Sequence, residues 1–347
     1  MHHRFPLAIC HPGTAAPWHR GAAALLCVLL SAAACSKSPT DPSGQPIDTM
    51  LRGQTVNAID GGAAPNLSVR VGNQSVTSDG NGNFQLDLGN TGSQRAIIRG
   101  GGMVERETRV NVPSSNTRLS LIPSSFDLEA FDQMFRALNS RLSRWTGRPA
   151  LVVLGTVMDY RSTGETYEAT SELLTDDELN TMLAHLNEGL ALLTGNSYQA
   201  FASVNIERPA AGTRVSPFRP GTIVVGRYKN ISLFARTIGW GQWAEAADGS
   251  IAYGATFLDR DFDRDDSRRR LLRIHELGHA LGYQHVTART SIMNPAIGPE
   301  PQEFDRAGAL IAFQRPVGNQ SPDVDPQSAS GLSVTGAVRL SPPTVCK

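Results

Sequence analysis

Three of the chain's eight histidines stand within eleven residues, HELGHALGYQH, from His275 to His285. If this stretch is helical, His275 and His279 lie one turn apart and about 40° apart around the axis. Two imidazoles so placed can reach one metal ion at about 2.0–2.1 Å each. Glu276 is rotated about 100° from His275, so it need not ligate and is free to act on a water as general base. On a continuing helix, His285 would sit about 15 Å further along and about 80° off the ligand face. The chain must therefore leave the helix and turn back, and Gly282 stands where that has to happen, because glycine takes positive φ without a Cβ penalty. Three histidines leave the fourth position of a tetrahedral Zn²⁺ open for water, the arrangement of a catalytic site. HExxH alone is a weak signal; Gly282 and His285 at fixed offsets make it specific. The alternative, a structural three-histidine metal site, leaves Glu276 without a use.

The elements that must carry these residues follow from the hydrophobic pattern. SRRRLLRIHELGHALG reads as a largely buried helix capped near Asp266 or Ser267. Leu128, Phe131, Met134, Phe135, Leu138, Leu142 and Trp145 mark one face of an earlier helix. TDDELNTMLAHLNEGLALLTG predicts another, with Thr175 as N-cap and Gly195 near its end, and a last helix is expected over 304–314. PALVVLGTVM, residues 149–158, reads as a buried strand, and strand-like runs lie around 201–206, 222–225 and 231–234, and in SIAYGATFLD. Ahead of all this, from 53 to 122, period-two alternation (Leu67, Val69, Val71; Phe84, Leu86, Leu88) surrounds the turn SDGNGN, the pattern of a small β-sandwich. The expected class is α+β: a β-sandwich module over 52–122, a metal-binding domain over 123–316, and a Ser/Pro-rich, poorly ordered tail over 317–347.

Composition bounds the partners. Lys plus Arg and Asp plus Glu both number 32, so net charge supplies no reason to expect nucleic acid. The apolar run GAAALLCVLLSAAAC after Arg20 reads as a signal peptide over 1–34, ending at Cys35 and followed by a Pro/Ser-rich tether over 35–51. It resembles a bacterial lipoprotein signal, with Ala32 where a leucine is usual. This implies a lipidated Cys35, a membrane anchor and an extracytoplasmic envelope protein; plain secretion is the alternative. The four cysteines are Cys10, Cys27, Cys35 and Cys346. An unlipidated Cys35 leaves a Cys35–Cys346 disulfide open. With no cysteine between 36 and 345, no cysteine zinc site is expected inside the folded body.

HELGHALGYQH followed by SIMNP resembles the metzincin zinc endopeptidases, and within them the matrixins. The resemblance implies His275, His279 and His285 as zinc ligands, Glu276 as general base, and Met293 in a turn beneath the metal. It implies a twisted mixed sheet with long helices, and a cleft that takes an extended protein or peptide substrate. PNLSVRVGNQSVTSDGNGNFQLDL likewise resembles the carboxypeptidase-regulatory or transthyretin-like modules of secreted proteins. Two departures from matrixins stand out. No cysteine lies between Ser36 and the catalytic region to block the zinc. Thr256 replaces the histidine of a second zinc site. Pro295 stands where another branch of the clan carries a tyrosine, which disfavours that branch. The acidic stretch from Asp259 to Asp266 offers Asp259, Asp261 and Asp263 to Ca²⁺, without the glycine and closing glutamate of an EF-hand; a solvated loop capping the zinc helix is the other reading. The function expected is zinc-dependent hydrolysis of peptide bonds in extracytoplasmic proteins. Its rivals are a surface-anchored binding protein with an idle catalytic fold, and a precursor whose residues 53–145 cover the cleft.

Overall fold

The computed structural model describes residues 47–161, 166–233, 236–327 and 338–347. The leader, Cys35 with its lipid or disulfide alternatives, and residues 35–46 of the tether lie outside them.

Seven strands come first: β1 (Met50–Asn57), β2 (Ser68–Val71), β3 (Gln74–Thr77), β4 (Asn83–Asp87), β5 (Gly92–Gly100), β6 (Met103–Val112) and β7 (Ser114–Leu121). They form a sheet ordered β4-β1-β7 and another ordered β3-β2-β5-β6. Alternation does the work: β4 buries Phe84 and Leu86 and exposes Asn83, Gln85 and Asp87. Leu51, Leu67, Val69, Ile98 and Leu121 complete one shared core. The turn between β3 and β4 is fixed by Asp79, whose Oδ1 accepts from the backbone N–H of Asn81 at 2.9 Å and of Asn83 at 2.8 Å.

The helix α1 (Leu128–Phe135) is capped by Asp127, but it ends ten residues before Trp145. Asn139 and Ser140 adopt φ of 61° and 54°, which no helix tolerates. The cause is tertiary. Arg136 is buried, with Nη1 donating to Asp132 Oδ1 at 2.7 Å and to Pro322 O at 3.2 Å, and Nη2 donating to Asn319 Oδ1. Leu142 and Trp145 still reach the core, along an irregular path.

Strands β8 (Ala150–Leu154), β9 (Thr156–Asp159) and β10 (Tyr167–Leu173) lead to α2 (Asp176–Leu193). Thr175 and Glu178 form a reciprocal capping box at its start, and Gly195 follows its end at φ +54°. Then come β11 (Val204–Glu207), β12 (Arg214–Val215), β13 (Thr222–Lys229), β14 (Gly239–Glu245) and β15 (Ile251–Asp259). The short α3 (Arg260–Asp265), α4 (Arg269–Ala280) and α5 (Glu303–Phe313) follow, and β16 (Arg339–Leu340) and β17 (Thr344–Cys346) end the chain.

These strands make one mixed sheet with the main path β12-β10-β9-β13-β15-β14-β16; β8 joins β13 and β11, and β17 joins β14. β13 pairs in parallel with β8, β9 and β15, and β14 runs antiparallel to β15. Both faces are covered. Leu151, Val153, Ile223 and Val225 pack with α2 and α4, while Val152, Leu154, Val224, Trp240 and Phe257 fill the opposite side. Each such side chain contributes about 1.5–3 kcal/mol on burial.

Two expectations are corrected here. Residues 260–265 form α3 rather than a solvated loop, and the carboxylates expected to offer themselves to calcium are turned to other partners. Asp259 caps α3 through the N–H groups of Asp261 and Phe262. The fully buried Asp263 accepts from Arg227 Nε at 2.6 Å and from Arg273 Nε at 2.6 Å, and exposed Asp261 pairs with Arg260. The guanidinium groups of Arg227 and Arg273 meet the negative charge of Asp263. The expected tail is likewise structured where described. Asn319 and Asp323 are fully buried, Arg315 donates to Asp323 Oδ1 at 2.7 Å, and Arg106 of β6 reaches Asp325 at 2.9 Å. A low-complexity composition hid a set of charge-assisted bonds joining the N-terminal strands to the segment after α5.

Candidate metal centre

α4 carries His275, Glu276 and His279, all fully buried. The helix closes in a Schellman pattern: Tyr283 N–H bonds Gly278 O at 3.0 Å and Gly282 N–H bonds His279 O at 3.0 Å. Gly282 has φ +105°, and a Cβ there would meet Ile251 Cδ1 at 2.7 Å and Ser143 O at 2.9 Å. The chain thereby reverses and brings His285 back. His279 Nε2 lies 3.0 Å from His275 Nε2, which lies 3.2 Å from His285 Nε2.

The turn holding Met293 lies beneath. Met293 is fully buried, and its Sδ stands 2.6 Å from where a Cβ on Gly278 would be. Asp305 of α5 secures this turn, accepting from Ser291 Oγ at 2.5 Å and from Ile292 N–H at 3.0 Å. Ile292 O in turn accepts from His275 Nδ1 at 2.6 Å, and Tyr283 O from His279 Nδ1 at 2.7 Å. Since a carbonyl only accepts, both Nδ1 atoms carry the proton and both Nε2 lone pairs point inward. Burial, with His285 as the next contributor, pulls His275 down to about 3. Burial alone pulls His285 down to about 4, and burial first holds His279 well below its ordinary value. Neutral imidazoles crowded lone pair to lone pair repel one another unless a cation stands between them, so the donor set fits zinc.

Glu276 stands beside the cluster. Both its oxygens are buried, burial pushes its carboxyl well above the usual range, and the neighbouring Cys346 thiol pulls the other way. Two glycines of β14 make the room. A Cβ on Gly239 would lie 2.7 Å from Glu276 Oε1, and one on Gly241 would lie 2.4 Å from His279 Cβ. Their spacing in GWGQW, two apart on one strand face, is the readable sign of close backbone approach that sequence reasoning passed over.

It also passed over Cys346. Contrary to the expectation of a body without a cysteine metal ligand, Cys346 is a buried free thiol with Sγ 2.9 Å from His275 Nε2 and 3.7 Å from His285 Nε2. One ligand atom from each of His275, His279, His285 and Cys346 falls within 4.8 Å of every other. Among the described residues this is the one group of three or more such side chains that could hold a metal. Thr256, at the place of a second-zinc histidine, is buried with its hydroxyl 3.4 Å from Glu276 O.

The chain matches no curated protein. Three solved structures share limited likeness with it. A type II cohesin–X-dockerin complex from Acetivibrio cellulolyticus is 20% identical over 21% of this chain and 51% of its own, with a TM-score of 0.17. A Bacteroides fragilis protein described as membrane-associated and of unknown function is 13% identical over 43% and 44%, with a TM-score of 0.19. A DUF3823 family protein from Bacteroides uniformis is 9% identical over 63% and 78%, with a TM-score of 0.17. The chain thus spans about half the length of the first two, and at these TM-scores the likenesses carry no argument about fold or function. The family profile described as matrixin matches residues 241–307, from β14 into α5, a similarity that points to a zinc metallopeptidase and covers all three histidines, Glu276 and Met293.

Proposed function

We propose that the chain is a zinc-dependent endopeptidase that hydrolyses peptide bonds of extracytoplasmic proteins. The observation that carries this reading is the convergence of three imidazole Nε2 atoms beside the buried carboxylate of Glu276, which shares a helix with two of them. His275, His279 and His285 would hold the ion, which when bound polarises a carbonyl and acidifies a water. Glu276 takes a proton from the attacking water and passes it to the leaving amine. The carbonyls of Ile292 and Tyr283 orient the imidazoles, and Asp305 keeps the Ile292 turn in register.

The leader that resembles a lipoprotein signal supports anchorage at the cell envelope through Cys35, with secretion as the other route. The N-terminal strands, similar in sequence to carboxypeptidase-regulatory modules, then act as a spacer between anchor and metal centre. Their polar bonds reach 314–325 rather than the histidines: Gln314 to Ala58 O, Arg315 to Ser120, Asp325 to Arg106. The strands themselves are thus held away from the histidines, whereas α1 does meet the loop that carries His285, with Gln284 N–H on Met134 O at 2.9 Å and Thr287 N–H on Gln133 Oε1 at 2.8 Å.

The test is casein cleavage by the zinc-loaded chain in a Cys346→Ala background, since that thiol stands among the ligands. Chelator-sensitive cleavage that Glu276→Gln abolishes while keeping zinc supports the reading. Equal turnover with glutamate or glutamine at 276 refutes it.

A further inference from the structure

β14 is the last long strand of its sheet, and an edge strand presents unpaired N–H and C=O groups along which an extended peptide can add. In this chain that edge is already taken. β17 lies antiparallel on it, with Gly239 opposite Cys346, Trp240 opposite Val345 and Gly241 opposite Thr344. β16 continues the pairing at Ala244 and Glu245. The backbone of Ile238 donates to Cys346 O at 3.0 Å, Ser341 N–H donates to Trp243 O at 2.8 Å, and Gln242 donates to Ser341 O. Gly239 and Gly241, the residues pressed against Glu276 and His279, are those paired with Cys346 and Thr344. The strand on the edge and the thiol at the histidines are therefore one feature.

Cys346 has an ordinary alternative, as a small buried hydrophobe in the core. Cys346 does belong to the main core, but its sulfur is turned to polar groups there, 2.9 Å from His275 Nε2. Four ligands at zinc bond lengths lie about 3.3–3.8 Å from one another. The four donor atoms here, none more than 4.8 Å from another, are gathered on that scale.

We propose that the C-terminal strand is an intramolecular strap, with Cys346 as fourth zinc ligand and Thr344–Cys346 lying where an extended substrate would pair with β14. The strap closes the centre twice over. Its thiolate fills the coordination position that hydrolysis needs for water, and its backbone fills the sheet edge that substrate needs. With zinc bound, opening would break the zinc–sulfur coordination bond, let a water take that position and free the β14 edge, the chain's own covalent bonds staying intact. Latency is the consequence, and that part rests on the peptidase reading; the ligand assignment does not.

The experiment compares the zinc-loaded full chain with Cys346→Ala, and with Cys346→Ser should the alanine variant unfold. Zinc K-edge absorption of the unaltered chain should show a sulfur neighbour at about 2.3 Å beside nitrogens at about 2.0–2.1 Å. The variant should lose the sulfur shell and keep its zinc. Casein cleavage should rise about tenfold or more in the variant, the shift expected when a predominantly closed state becomes open. A nitrogen- and oxygen-only shell in the unaltered chain overturns the strap, and equal chelator-sensitive cleavage by both proteins then leaves the peptidase reading standing. A sulfur shell with no cleavage by either protein leaves Cys346 as a ligand of a structural zinc and overturns latency and the peptidase reading together.

Discussion

Gly282→Ala tests the reversal that delivers the third histidine. At φ +105° an alanine is strained by about 1–3 kcal/mol. Its Cβ would also meet Ile251 Cδ1 at 2.7 Å and Ser143 O at 2.9 Å, the second a backbone atom that cannot swing away. Overpacking of this kind costs about 1–3 kcal/mol. Reduced freedom of the unfolded chain returns about 0.4–1 kcal/mol. The net expectation is about 1–5 kcal/mol of lost stability, read as a lower urea midpoint at unchanged slope in chelated protein. Because His285 lies three residues beyond the turn, zinc affinity in a chelator competition should also weaken, by about tenfold or more. Gly298→Ala is the control: nothing lies within 4 Å of its added Cβ, so the change should stay within about 0.5 kcal/mol. If alanine at 282 proves as harmless as alanine at 298, the turn is not the device described.

Asp305→Ala removes the acceptor for Ser291 Oγ, Ile292 N–H and Gln302 N–H, so urea unfolding should show a loss of about 2–4 kcal/mol, with zinc held more weakly because Ile292 O no longer fixes His275. Gly241→Ala drives a methyl to within 2.4 Å of His279 Cβ, and zinc stoichiometry by elemental analysis should fall while the far-UV spectrum is kept. In metal-free protein the pH dependence has a definite sign. His275 is held down to about 3 in the fold, so the unfolded chain takes up the proton first below about pH 6.5, and stability should fall on acidification from there toward pH 3. The slope is at most about 1.4 kcal/mol per pH unit for this group, and a urea midpoint that does not change over that range would contradict it.

What could be read from sequence was local. The capping box of Thr175 and Glu178, the break at Gly282 and the two-ligand spacing of His275 and His279 depend on residues within one or two turns. What could not be read was set from far away. α1 stops at Phe135, and its capping residue Arg136 bonds Asn319 and Pro322, contacts that no periodicity within 128–145 encodes. Asp263 resembles a cation ligand until Arg227 and Arg273 arrive from two other elements. Cys346 sits in a short strand of ordinary composition, and only its pairing with β14, some hundred residues earlier, sets it at the histidines. Non-local strand pairing of this sort leaves almost no trace in a single sequence.

The central claim is that His275, His279 and His285 together hold one zinc. Equilibrium dialysis of the purified chain against zinc, followed by elemental analysis, tests it most directly. The account predicts one zinc per chain, kept by Glu276→Gln and lost by His279→Ala. Zinc content untouched by alanine at 275, 279 and 285 in turn would contradict it.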